Sequence, residues 1–216
     1  MKPVMQMFAA AAATVAFSTS VFAAPSAEAP DALVKRISAE VIDSVKADKD
    51  IQGGNRNKIM ELVNSKILPY VDAPKMTQQA AGRHWRTATP EQQQKLTQEF
   101  RTLLVYTYAG ALSTIKNETV EFKPMRSSPA DTDVEVRSQV NVARGEPITL
   151  NYRLAKNGNG WKIYDVNILG AWLVETYKST FNSEISKTGV DGLIKRLADR
   201  NAQLASKPLA APATNG

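Results

Sequence analysis

The chain has 216 residues, with 27 Lys and Arg against 21 Asp and Glu, one His and no Cys. Its 43% hydrophobic and 22% charged fractions are typical of a globular protein and argue against a disordered or fibrous chain. The lack of Cys excludes disulfide bonds and thiolate metal sites, and the lone His excludes multi-His metal sites. The net charge of +6 is scattered along the chain. It favours anionic surfaces or acidic partners, or simply solubility, over nucleic acid.

The first 23 residues have the features of a secretory signal peptide. Lys2 supplies the positive start, an apolar stretch runs from Met5 to Phe17, and a short polar segment ends at Ala23. This pattern predicts cleavage after Ala23 and export from the cytoplasm. An uncleaved anchor helix would need about 20 apolar residues, more than this stretch has. Residues 24–30 are rich in Ala and Pro and are expected to be disordered.

Helical periodicity governs the next part of the chain. Asp31 is expected to cap a first helix whose apolar stripe includes Val41 and Val45. A second helix should end at Pro69, and a short third helix should end near Gly82.

Residues 89–92, with the sequence Thr-Pro-Glu-Gln, form the clearest helix start. Thr89 is the expected cap, Pro takes the first helical position, and Gln92 can complete a capping box. A long helix should follow. Its apolar face is Leu96, Phe100, Leu104 and Tyr108.

The periodicity then changes to two, which is typical of strands. Apolar and polar residues alternate over residues 134–142 and 148–154, and a third strand is expected over residues 161–168. A shorter strand should begin at Val120, and Pro124 confines it to an edge or an end of the sheet. These segments predict an antiparallel meander of four strands with one apolar face.

Helix returns after Gly170, and Gly189 is expected to separate it from a last helix. Helices, a meander and further helices predict one α+β domain over residues 31–205, with helices covering one face of a curved sheet. Residues 206–216 are predicted to be a disordered tail.

No recognised catalytic motif is present, since the sequence lacks G-x-S-x-G, H-E-x-x-H, a P-loop and G-x-G-x-x-G. His84 has neither an orienting carboxylate nor a nucleophile that the sequence nominates. Asp165 lies in a predicted strand and is the better candidate for a base in an apolar pocket, as in ketosteroid isomerase. The alternative is a structural Asp that accepts backbone hydrogen bonds or pairs with an Arg.

The apolar faces of the helices and strands leave two interpretations open. They can fill a dry core, or they can line a slot between the helices and the sheet that holds an apolar ligand. Periodicity fits both interpretations equally well.

Several motifs carry a resemblance to a known family. They are Leu68-Pro69-x-x-Asp72, Met76, Gly82-Arg83-His84-Trp85-Arg86, residues 89–92, Gly160-Trp161-Lys162-Ile163-Tyr164-Asp165-Val166, Gly170, Tyr177, Phe181 and Gly189-Val190-Asp191. In their order and spacing, from Asp31 to Leu204, the chain resembles the MlaC family, also called toluene-tolerance auxiliary proteins. Trp172 and Lys178 depart from the Ser and Arg that are usual in the family. Trp172 is expected to reshape a pocket mouth.

The resemblance implies a non-enzymatic periplasmic phospholipid carrier of a Gram-negative bacterium, with an NTF2-like or cystatin-like layout and an internal apolar cavity. Its implied cargo is a diacyl phospholipid, with no other cofactor. The implied partners of the monomer are an outer-membrane lipoprotein complex and an inner-membrane ABC transporter complex with a lipid-binding receptor subunit. An NTF2-like enzyme that uses Asp165, or a periplasmic adaptor that binds only proteins, are the alternatives.

The cavity is expected between the sheet and its helical cover. Its predicted wall is Val41, Val45, Leu96, Phe100, Leu104, Tyr108, Val120, Phe122, Val134, Val136, Val140, Ile148, Leu150, Tyr152, Trp161, Ile163, Val166, Leu173, Tyr177 and Phe181. Simple alternation puts Ile163 and Val166 on opposite faces of their strand, so the orientation of this strand stays open. Arg153, Lys162 and Lys178 are weaker candidates for contacts with a lipid headgroup, and no metal ligand is predicted.

Overall fold

The computed structural model describes residues 28–125, 128, 130–142, 146–158 and 160–209. The predicted signal peptide, residues 24–27 and the tail from residue 210 lie outside the described residues. No helix in the described part of the chain is both long and apolar enough to cross a membrane.

The described residues form six α-helices, and shorter helical turns extend three of them. The helices are α1 (Pro30–Ala47), α2 (Lys49–Gln52), α3 (Arg56–Leu62), α4 (Ala73–Ala81), α5 (Pro90–Tyr108) and α6 (Leu173–Ala205). A π-helical turn (Val63–Ile67) and a 3₁₀ turn (Leu68–Tyr70) continue α3, and 3₁₀ turns follow α4 (Gly82–Thr87) and α5 (Ala109–Thr114).

The two predicted helix caps have different outcomes. The capping box is confirmed, because the Thr89 hydroxyl accepts from the Gln92 N–H at 3.2 Å and the Gln92 side chain accepts from the Thr89 N–H at 3.0 Å. The prediction that Asp31 caps α1 is wrong. Pro30 takes the first helical position, where its fixed φ suits the helix, so Ala29 is the cap and Asp31 lies in the first turn.

The sheet is an antiparallel meander with its strands in chain order. Its strands are β1 (Thr119–Phe122), β2 (Asp133–Asn141), β3 (Ile148–Asn157), β4 (Gly160–Ile168) and β5 (Ala171–Trp172). The α+β class is confirmed, but the described part of the chain forms five strands rather than four. A two-residue strand such as β5 leaves no periodic signal in the sequence.

A β-bulge in β4 fixes the orientation of this strand. Ile163 pairs with Leu154, whereas Asp165 pairs with Arg153, so that Tyr164 is the extra residue on β4. The parity of the side chains therefore changes at Tyr164. Ile163 and Val166 lie on the same apolar face of the sheet, although simple alternation puts them on opposite faces.

Two apolar clusters make up the core. The first packs α1, α2 and α3 against the sheet around Val45, Ile59 and Leu154, which are fully buried. The second joins α4, α5 and α6 around Phe100 and Phe181, whose rings meet edge to face at 4.9 Å.

Residues 206–209 pack onto the first cluster instead of starting a disordered tail. Leu209 is only 8% exposed, and the Arg56 guanidinium donates to the Lys207 carbonyl at 2.9 Å. The short apolar segment between two prolines at 208 and 212 gives no periodic signal, which explains why the sequence did not indicate this contact.

Gly189 breaks α6 into two helical parts, because its φ of 73° and ψ of 178° are accessible almost only to Gly. We expect Gly189→Ala to lower the free energy of unfolding by about 1–3 kcal/mol in urea denaturation. Space around the new methyl group is not the cause, since nothing lies within 4 Å of that position. Gly160→Ala is the matched control, because it adds the same methyl group in open space where φ is not positive. Equal losses in both variants would contradict the strain argument.

Candidate functional site

An apolar cavity of about 220 Å³ lies between the two clusters of the core. Its walls come from the π-helical turn, the 3₁₀ turns, α4, α5, the end of β4 and the start of α6. The lining residues are Val63, Ile67, Leu68, Val71, Ala73, Met76, Thr77, Phe100, Arg101, Leu104, Val105, Tyr108, Ala109, Leu112, Val166, Ile168 and Leu173.

Helix α5 supplies the longest wall. Phe100, Leu104 and Tyr108 recur every four residues and therefore lie above one another on one face of the helix. The cavity continues past the end of α5 into the 3₁₀ turn, where Ala109 and Leu112 line it.

The few polar groups in the lining leave the interior dry. The Thr77 hydroxyl donates to the Ala73 carbonyl at 2.7 Å and is thus already satisfied. The Tyr108 hydroxyl lies beside that of Tyr177, and burial raises the pKa of Tyr177 to about 12. Both phenols therefore stay neutral at physiological pH. Water in this space would find few partners, so an apolar ligand is favoured.

A depression with a more polar lining adjoins the cavity, and we call it the mouth. It is lined by Leu68, Val71, Ala73, Pro74, Gln94, Thr97, Gln98 and Arg101. Four of these residues also line the cavity, namely Leu68, Val71, Ala73 and Arg101. The mouth therefore connects the dry interior with the solvent.

The predicted cavity residues fall into three groups. Those that line the cavity are Phe100, Leu104, Tyr108, Val166 and Leu173. Those that belong to or pack against the two core clusters without lining it are Val41, Val45, Leu96, Phe122, Val134, Val136, Tyr152, Trp161, Ile163, Tyr177 and Phe181. Those that are half-buried on the sheet away from the cavity are Val120, Val140, Ile148 and Leu150.

The three candidate headgroup contacts, Arg153, Lys162 and Lys178, line neither the cavity nor the mouth. The Arg153 guanidinium stacks 3.8 Å from the Trp172 ring centre. Trp172 thus packs against Arg153 and does not line the mouth. Lys162 donates to the Pro69 carbonyl, and Lys178 pairs with Glu175 at 3.4 Å. Each is already engaged with a neighbour.

Sequence reasoning missed the wall formed by the π-helical and 3₁₀ turns. The sequence predicts an ordinary helix that ends at Pro69, because a π-turn has no separate sequence signal, yet Val63, Ile67 and Leu68 line the cavity. It also missed Arg101, which lies next to Phe100 on the border of the apolar stripe of α5. A charged residue on such a border was the available signal.

Asp165 joins β4 to α6. It is 1% exposed, and its Oδ1 atom accepts from the N–H groups of Val166 at 2.9 Å and of Val174 at 3.0 Å. Burial raises the pKa of this carboxyl above its usual range. Asp165 does not line the cavity, so the geometry matches the structural alternative rather than a base in an apolar pocket.

The described residues show neither a carboxylate that could orient His84 nor a cluster of acidic residues that could hold a metal ion. His84 Nε2 lies 3.0 Å from the Asn182 amide oxygen rather than near a carboxylate. Among the described residues, no group of three His, Asp or Glu side chains is arranged to hold a metal ion.

An α+β domain with a dry cavity under a polar mouth defines a class of proteins that bind apolar or amphipathic small molecules. The family model described as MlaC protein matches residues 35–199. The chain therefore belongs to the MlaC family.

Named relatives agree with this assignment. The intermembrane phospholipid transport system binding protein MlaC of Haemophilus influenzae is 24% identical over 83% of this chain and 84% of its own length. The toluene tolerance protein ttg2D of Pseudomonas putida is 25% identical over 76% of this chain and 77% of its own.

A solved structure is similar in both sequence and fold. It is a phospholipid-binding protein from Ralstonia solanacearum in complex with a phospholipid, and it is 51% identical to this chain. The superposition has a TM-score of 0.77 and covers 82% of this chain and 98% of the other.

The buried Asp165 carboxyl predicts a specific pH dependence. Since its pKa in the folded protein is raised above the value of about 3.9 in the unfolded chain, the folded protein binds the proton more tightly. Stability from this group is present below pH 4 and is lost as the pH rises through the raised pKa. Asp165→Asn keeps an oxygen for the two N–H groups and does not titrate.

We therefore expect the wild-type protein to lose free energy of unfolding relative to Asp165→Asn as the pH rises from about 4 to 7. Urea denaturation of both proteins at several pH values measures this difference. A difference that stays constant over this range would show that Asp165 titrates normally.

Proposed function

We propose that this protein is a periplasmic phospholipid carrier that moves lipid between outer-membrane and inner-membrane complexes of a lipid-asymmetry ABC transport system. The observation that carries the proposal is the dry cavity of about 220 Å³ under a polar mouth. The similar Ralstonia protein, 51% identical, was solved in complex with a phospholipid. An apolar space with a wet opening suits a molecule that has apolar tails and a polar head.

The cost of exposing lipid tails explains why a carrier is needed. Two acyl chains carry about 30 methylene groups, and exposing them at about 0.8 kcal/mol each costs about 24 kcal/mol. This cost exceeds the binding free energy of even the tightest noncovalent complexes, which is near about 18–21 kcal/mol. Release of the lipid into water is therefore negligibly slow. The lipid must therefore pass to a partner while the carrier is docked on a membrane complex.

The cavity has to widen when it takes up a lipid. An engineered apolar cavity of about 150 Å³ holds one benzene molecule, with six carbon atoms. A space of about 220 Å³ is accordingly too small for two acyl chains. Because the cavity lies between two separately packed clusters, these can move apart without opening the interior of either.

The main test of the carrier function is solvent extraction of the purified protein, followed by mass spectrometry of the lipid. A carrier should yield about one diacyl lipid per chain. The two alternatives, an NTF2-like enzyme that uses Asp165 and an adaptor with a filled core, should yield none.

Blocking the cavity should remove the lipid. Leu104 lines the cavity, and Leu104→Trp fills part of it. Overpacking costs about 1–3 kcal/mol, so we expect lipid occupancy to fall about tenfold. Circular dichroism should show an unchanged helical signal.

The same substitution at Leu150 distinguishes the observed wall from the wall predicted by sequence. Leu150 is half-buried on the sheet and does not line the cavity. Leu150→Trp should keep its lipid. Lipid loss in Leu150→Trp together with retention in Leu104→Trp would place the lipid against the sheet instead.

A further inference from the structure

Helix α5 changes from polar to apolar along a single face. Gln94 and Gln98 line the mouth, Arg101 follows one turn later, and Leu104 and Tyr108 line the cavity. Residues three or four apart lie on the same side of a helix, so these five side chains form one continuous row. The row has the polarity of an amphiphile, with its polar end in the solvent and its apolar end inside.

Arg101 lies where this row changes from polar to apolar. It lines both the cavity and the mouth, and its side chain is exposed. Within the described part of the chain, its guanidinium has neither a hydrogen-bond nor an ion-pair partner. Among the residues that the structure describes, no carboxylate lines the cavity or the mouth. An unpaired cation at the edge of an apolar space is suited to an anionic group carried by an apolar ligand.

The neighbouring polar groups favour an anion with several acceptor oxygens. The amides of Gln94 and Gln98 each have two N–H donors, and neither has a partner among the described residues. The Thr97 hydroxyl, in contrast, already donates to the Gln93 carbonyl at 2.7 Å. A guanidinium offers its donors as a planar fork, which matches the oxygens of a phosphate group.

We propose that Arg101, together with the amides of Gln94 and Gln98, binds the phosphodiester of the lipid at the mouth. This inference rests on the proposed function and adds the group by which the carrier selects its cargo. The protein then accepts diacyl lipids that carry a phosphodiester, whatever is attached beyond it, and discriminates against diacylglycerol, which has the same tails and no phosphate.

The test is a competition between two lipids with identical acyl chains. Lipid-free protein is incubated with phosphatidylcholine vesicles that contain equal amounts of phosphatidylglycerol and diacylglycerol, and the bound lipids are counted by mass spectrometry. The wild-type protein should prefer phosphatidylglycerol to diacylglycerol. Arg101→Gln should reduce this preference about fivefold, the factor that corresponds to ~1 kcal/mol for a solvent-accessible charge pair.

Lys95→Gln is the matched control. Lys95 lies on the same helix, is exposed and lines neither the cavity nor the mouth, so its loss removes the same charge without touching the site. It should keep the wild-type preference. Arg101→Lys keeps the charge but loses the planar fork, and it should give an intermediate preference.

Each other outcome overturns a stated part of the proposal. A wild-type protein that takes up both lipids equally, or an Arg101→Gln variant that keeps the preference, would contradict phosphodiester recognition while leaving the carrier function intact. A wild-type protein that takes up no lipid at all, phosphatidylcholine included, would overturn the carrier function, and this inference with it. If millimolar inorganic phosphate abolished the preference, the mouth would be a site for free phosphate rather than for a headgroup.

Discussion

A space lined by carbon atoms has to be held open against the tendency of apolar side chains to close on one another. Each cubic ångström of sealed, unfilled cavity costs about 24 cal/mol, so about 5 kcal/mol is the upper bound for a cavity of about 220 Å³ that opens at the mouth. This is comparable with the whole stability of many domains. Two well-packed clusters, one on each side, supply the rigidity that keeps the walls apart. An apolar ligand that fills the space recovers this energy, which couples loading to stability.

The joint between sheet and helix depends on one buried carboxylate. Trp172, the cap residue of α6, makes no side-chain hydrogen bond to the helix, and Asp165 satisfies the Val174 N–H in its place. The bulge at Tyr164 gives Asp165 this position and turns Val166 toward the cavity. The strand and the helix are therefore fixed together next to the wall that Val166 and Leu173 form. Its two backbone hydrogen bonds offset only part of the cost of burying the carboxyl, and the raised pKa of Asp165 reflects the remainder.

Local interactions could be predicted from the sequence better than distant ones, although the cap expected at Asp31 is wrong because Pro30 takes the first helical position. The capping box at Thr89 involves residues three apart, so its letters alone specify it. The bulge in β4 depends on the pairing of Ile163 with Leu154 on another strand, and no pattern within β4 reveals it. The observed cavity wall differs from the wall predicted by the sequence for the same reason. Periodicity identifies which residues are buried, but whether Phe100 meets a void or Val41 meets a side chain depends on how separate helices pack.

The proposed contact between Arg101 and the phosphodiester lies at the mouth rather than inside, which is a physical advantage for a carrier. A phosphodiester buried beside Arg101 in the dry cavity would lose its hydration, and the cost would be several kcal/mol per ion. At the mouth both charges keep part of their water, so their pairing is weak, screened by salt and readily reversed. The tails then supply nearly all of the affinity, while the phosphate contributes orientation and selectivity. A carrier that holds its lipid by the tails and positions it by the head presents the headgroup first to the partner that receives it.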